Sequence, residues 1–180
     1  MEYLIYVIIG LLVVVLVWFI ATKNKLNQTL EKITEADSGI DIALTKRYDV
    51  LTKLIETVKG YAKHEKETLF EVINFRKGMT VEEKNIATSK MNKNFEKINV
   101  LVENYPDLKA SENFKTLEKS ILEVEEHLQA ARRMYNSNVS IFNQMLVTFP
   151  ISVVASMSGL TKQAFFEADE YKKNDVKIEF

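Results

Sequence analysis

The apolar and polar positions divide the chain into one unbroken apolar run followed by segments of helical periodicity. Tyr3 to Ala21 carries no charge and no proline. As a helix this run rises about 28 Å, close to the ~30 Å hydrocarbon core of a bilayer. Trp18 stands near its exit end, where an indole ring suits the headgroup level. A secretory signal would open on basic residues and close on a small-residue cleavage site. Met1 and Glu2 supply no basic side chain, and the run is too long for such a signal. Residues 1–23 therefore read as an uncleaved transmembrane anchor with its flanks.

Beyond the anchor, apolar residues recur in steps of three and four from Asn24 to Lys77, through Leu26, Ile33, Ile40, Leu44, Leu51 and Val58 and on to Leu69 and Val72. This spacing predicts one amphipathic helix roughly 80 Å long. Asp37 and Arg47 occupy two positions of its apolar row, and Gly78 is placed to close it as the residue after the C-cap. Thr80, with Glu83 three residues on, forms a capping box that opens a second helix. Its inner face is Met91, Phe95, Ile98, Val102 and Tyr105, and Pro106 ends it. Ser111 is placed to cap a third helix. Its heptad face runs from Phe114 through Leu128, Tyr135 and Phe142 to Phe149, with Asn138 and Met145 in two polar or adaptable slots. Glu123, Glu125 and Glu126 mark its solvent side, and Pro150 stops it. A short apolar stretch with a turn precedes a terminal helix expected over 161–172. Residues 173–180 form an extended tail in which Val176, Ile178 and Phe180 alternate with charges.

The fold class that follows is all-α: a long antiparallel bundle of three to four helices, residues 24–172, behind an N-terminal transmembrane helix. The second helix is too short to cover the membrane-proximal half of the first. The segment after Pro150, or a partner, must supply that cover.

Composition narrows the function. The 180 residues carry 24 Lys plus Arg against 25 Asp plus Glu, which argues against a nucleic-acid binder. The absence of cysteine removes disulfides, thiol nucleophiles and cysteine metal sites. Five glycines and two prolines are few breakers, as suits long helices.

The polar groups that could carry chemistry are Asp37, Asp41, Arg47, Arg132, Arg133, Tyr135, Asn136 and Asn143. Asp37 and Asp41 share a helix face, where like charges call for a cation; Arg132 or Arg133 on the third helix is positioned to answer. Asn136 and Asn143, seven apart, face the same way. Together these groups read first as a hydrogen-bonded layer that sets the register of the bundle, second as a ligand or peptide site, and last as a catalytic one. His64 and His127 are the only histidines. His64 with Glu67 and nearby acids could in principle bind a metal, but the i,i+4 spacing reads more simply as a polar helix face. No nucleophile–base pair or glycine-rich phosphate loop is present, and no cofactor is expected.

Ala36–Asp37–Ser38–Gly39–Ile40–Asp41 is followed by Leu44–Thr45–Lys46–Arg47–Tyr48–Asp49 and Thr57–Val58–Lys59–Gly60–Tyr61–Ala62. With Tyr105–Pro106–Asp107–Leu108, Ala131–Arg132–Arg133, Tyr135–Asn136, Asn143, Phe149–Pro150 and Phe165–Phe166, these motifs resemble the LemA family along nearly the whole chain, in order. Val50 departs from the leucine of many relatives, a trivial change for packing. The resemblance implies a membrane-anchored antiparallel helical bundle and no particular reaction.

Three functions compete on this reading. A membrane-tethered, non-enzymatic scaffold or adaptor fits the long ordered helices, with the bilayer and an unidentified protein as partners and no nucleic acid. A metal-dependent hydrolase would use His64 and its neighbours. A lipid-surface module would use Lys23, Lys25 and Lys32. The same three lysines follow the anchor, so the positive-inside rule places the bundle in the cytoplasm of a single-pass, bacterial membrane protein.

Overall fold

The computed structural model describes residues 1–61, 70–76 and 78–166. Among them there are helices and no strands: α1 (Glu2–Tyr61), α2 (Val81–Glu103), α3 (Pro106–Ala110), α4 (Glu112–Val147) and α5 (Ile151–Met157). The all-α bundle expected from the periodicity stands. The chain forms two compact units, Met1–Ala36 with Met134–Ala164, and Asp37–Arg133 with the segment beginning at Phe165.

In the first unit, α1 is continuous from the apolar run into the amphipathic stretch. The run is long and apolar enough to cross a membrane, and its side chains are exposed from Tyr3 to Trp18. Burial begins at Thr22 and Leu26 and continues at Ile33 and Ala36. The cover is the second half of α4 with α5, so the segment around Pro150 supplies what the second helix cannot. Asn138 donates to the Lys32 carbonyl at 3.0 Å, and the Thr29 hydroxyl lies 3.7 Å from the Met145 sulfur. These contacts fix α4 antiparallel to α1 in this unit. Val139 and Phe142 are fully buried on α4, whereas Phe149 is exposed. The strict heptad had placed Asn138 and Phe149 inward; a straight helix of 3.6 residues per turn drifts off a 3.5 repeat, and the inner row moves to Val139.

In the second unit, the rows read from the sequence are buried: Ile40, Leu44, Leu51, Leu54 and Val58 of α1, Met91, Ile98 and Val102 of α2, and Phe114, Ile121 and Leu128 of α4. Each fully buried leucine is worth about 1.5–3 kcal/mol of transfer from water. The capping box of α2 is present in both directions. Glu83 N–H donates to the Thr80 hydroxyl at 3.2 Å, and Thr80 N–H donates to the Glu83 carboxylate at 2.8 Å. Ser111 caps α4 through Phe114 N–H at 3.2 Å. Pro106, expected only to end the second helix, also opens α3 at its first position, where its missing N–H costs nothing.

Two expectations change here. The helix drawn to Lys77 is helical to Tyr61 among the described residues, and Phe70–Arg76 is not helical. Val72, placed on the inner row, is three-quarters exposed. The backbone of this segment is held from outside instead. Glu71 N–H donates to Asn94 Oδ1 at 2.8 Å, and Asn94 Nδ2 donates back to the Glu71 carbonyl at 2.9 Å. Gly78 is in the left-handed region (φ 81°), as a turn residue before Thr80 and not at the end of α1.

The direction of α2 also differs from a helical hairpin. Asp37 and Asp41 meet Lys84, and Arg47 meets Asn92, so residue numbers rise together and α2 is parallel to α1. The segment 70–76 runs back along α2, from Asn94 at Glu71 to Glu83 at Arg76. Helix α4 is antiparallel to both, since Glu125 meets Arg47 and Arg132 meets Thr88. The terminal helix expected over 161–172 is not helical at 161–166; its remainder, and the tail, lie outside the described residues.

Candidate functional site

The inner rows of the second unit carry three charged side chains where apolar ones would pack. Asp37 and Arg47 lie on the α1 row. Lys84 lies on the α2 row, seven residues before Met91 and fourteen before Ile98. Placing a charge in a core is costly unless another answers it in good geometry. Each of these is answered.

Lys84 Nζ is 2.6 Å from the Asp37 carboxylate and 2.7 Å from that of Asp41, with the lysine side chain 1% exposed. The two aspartates, one turn apart on α1, thus enclose a single ammonium. Thr88, one turn on in α2, donates its hydroxyl to the Lys84 carbonyl at 2.8 Å and accepts from Arg132 Nη2 at 2.9 Å. The Arg132 guanidinium also stands 5.8 Å from the Phe166 ring, within cation–π range. About two turns further along α1, Arg47 Nη2 donates to Asn92 Oδ1 at 2.5 Å and pairs with Glu125 at 2.8 Å. Arg47 is buried and Glu125 half-buried.

The cation set between Asp37 and Asp41 is thus Lys84. Arg132 joins the same network through Thr88, and Arg133 points to solvent. Glu125, assigned to the solvent face of α4, turns to Arg47 because a buried guanidinium requires an anion. Lys84, Thr88, Asn92 and Glu125 were missed as members of the layer. A signal existed for Lys84, because stepping back by seven from Ile98 through Met91 lands on it.

The first unit uses the other residues. Tyr135, buried on α4, donates its hydroxyl to the Ala164 carbonyl at 3.2 Å. Asn143 Nδ2 donates to the Gln163 carbonyl and Asn143 Oδ1 accepts from Gln163 N–H, both at 2.9 Å. This is the device by which Asn94 holds Glu71: an amide on a helix satisfies both backbone groups of one residue in a non-helical strap. Asn136 is half-buried on α4. His64 and Glu67, the weak metal candidates, lie outside the described residues; among the described residues no cluster of three His, Asp or Glu is placed to hold a metal ion.

The titration of Glu83 is displaced downward. The hydrogen bond from the Thr80 backbone, and then Arg76 beside it, hold its carboxyl below the usual range.

What this arrangement can do chemically is favour one alignment of helices over its neighbours. Sliding α2 by seven residues would set Met91 against Asp37 and Asp41 and strand Lys84. The Arg47–Asn92–Glu125 layer would have to slip with it. Two such layers, each with an opposite pairing of charge, leave one register satisfied.

Residues 36–180 match the family model described as the LemA family. Protein LemA of Metamycoplasma hominis is 29% identical over 163 residues, covering 88% of this chain and 74% of that protein.

Proposed function

The chain belongs to the LemA family, and from that premise we propose that it is a membrane-anchored, single-pass helical scaffold or adaptor that presents its bundle to a protein partner on the cytoplasmic side. The observation that carries this reading is the use made of the core charges. Lys84, Asp37, Asp41, Arg47 and Glu125 are spent on one another in two register-setting layers. The apolar run of α1, exposed from Tyr3 to Trp18, is suited to a bilayer. Lys23, Lys25 and Lys32 after it favour the cytoplasmic placement.

The test is photo-crosslinking in living cells from single sites at the exposed Ile42 and Ile86 of the second unit. The expected result is one protein captured reproducibly from one site and not from the other. Capture of no protein from any exposed site of the bundle, in any growth condition, would overturn the adaptor reading. Protease added to wall-stripped cells tests the side: the bundle should survive with a cytoplasmic control, and its digestion would reverse the orientation.

A further inference from the structure

We propose that the corner between α4 and α5 is seated in the membrane interface, its outer face in contact with lipid; the inference rests on the anchored reading above. The two helices meet at 94°. Val154 and Ala155 of α5 are buried against the first unit. Phe149, Val153 and Met157, at steps of four on the opposite face, are 80%, 49% and 72% exposed. Val147, just before the bend, is exposed as well. An apolar face of this kind is unfavourable in water and suits the boundary between headgroups and acyl chains.

The level of the corner supports lipid as the occupant. Asn138 is paired with the carbonyl of Lys32 in the antiparallel α1–α4 contact. Nine residues further along α4, Val147 lies about 14 Å nearer the amino terminus of α1; counted from this pair and from the Thr29–Met145 contact it is level with roughly residues 23–27. The apolar run ends at Ala21, within about 10 Å of that level. The bend then carries α5 across the axis of α4. The exposed apolar face of the corner thus belongs to the end of the unit from which the exposed apolar run of α1 departs. Lys23 and Lys25 are exposed at the same level, where ammonium groups meet lipid phosphates. From Met134 to Thr161 the chain has no charged residue at all. The interface therefore receives this half of the unit without burying a charge.

The chain has no cysteine, so single spin labels can be placed in the full-length protein in vesicles of phosphatidylethanolamine and phosphatidylglycerol. Val153→Cys and Met157→Cys report the corner, Leu12→Cys the anchor, and Leu122→Cys an exposed site on α4 of the other unit. The expected result is a ratio of oxygen to nickel-chelate collisions at 153 and 157 several-fold above that at 122, approaching that at 12. Ratios at 153 and 157 equal to that at 122, with 12 still high, would overturn this proposal and leave the anchor intact. A low ratio at 12 would overturn the anchor reading and this proposal with it. Exclusion of both collision partners at 153, with spin–spin broadening that disappears on dilution by unlabelled protein, would assign the face to a second copy and also overturn the proposal.

Discussion

A lysine sealed between two aspartates is a demanding way to fill a core position. Lys84 loses its hydration and has Asp37 and Asp41 in return. Lys84→Ala leaves two carboxylates one turn apart with no ammonium between them. Broken buried pairs cost about 3–5 kcal/mol; with the carboxylates about a third exposed, roughly 3 kcal/mol is expected in denaturant unfolding. Lys84→Met together with Asp37→Asn and Asp41→Asn should recover most of that loss, because it removes the charges with their partner. A triple variant no more stable than Lys84→Ala would show that the layer acts through something other than charge. The capping box makes a smaller claim. Thr80→Ala should cost about 1 kcal/mol. The Glu83 carboxylate is favoured in the folded state, so its folded pKa lies below its unfolded value. Its contribution is therefore present above the unfolded pKa and is lost as pH falls through the folded one. The stability difference between the parent and Glu83→Gln should shrink toward zero on acidification, measured by unfolding over a pH series.

At the scale of elements, two straps of non-helical backbone each have both backbone groups of one residue held by an asparagine, Asn94 at Glu71 and Asn143 at Gln163. A buried N–H or carbonyl stripped of its partner costs about 1–3 kcal/mol. Asn94→Ala should therefore speed amide exchange at Glu71 far more than at mid-helix positions such as Leu51. It should also loosen the stacking of Phe75 on Tyr48, now 6.4 Å between centroids. Equal exchange at Glu71 in the parent and the variant would mean that the strap is held some other way. These elements also mark what could be read in advance. The start of α2 was legible because the capping box is a local motif, and the inner rows were legible because burial repeats with the helix. The strap at 70–76 was not, since Glu71 is held by an asparagine 23 residues away and Val72 by a lysine 18 residues away. Val72 fits the α1 period by spacing alone, and nothing nearby in the chain says that the helix has ended. The parallel course of α2 follows from that strap and was hidden with it. Among the polar residues, Asp37 and Arg47 were visible as charges on an apolar row. Their partners were not, because pairing across helices depends on the direction in which α2 runs.

For the whole molecule, the exposed apolar length of α1 leads to a direct expectation: full-length protein should stay with membranes in alkaline carbonate and leave only with detergent. Release by carbonate would contradict an integral anchor. The makeup of the first unit has a consequence in time as well. It joins Met1–Ala36 to Met134–Ala164, the early part of the chain to a late one. Thr29 and its contact Met145 are 116 residues apart. At about 5–20 residues per second, a ribosome needs roughly 6–23 seconds to make the second after the first. Throughout that interval Leu26, Ile33 and Ala36 are synthesised without the helix that buries them. A nascent chain arrested before Met134 should therefore offer this row to cross-linking by chaperones or the insertion machinery, and one arrested well past Leu160 should not. Folding of the segment next to the anchor is thus tied to the pace of translation, and its apolar row must be sheltered by something else until the far part of the chain arrives.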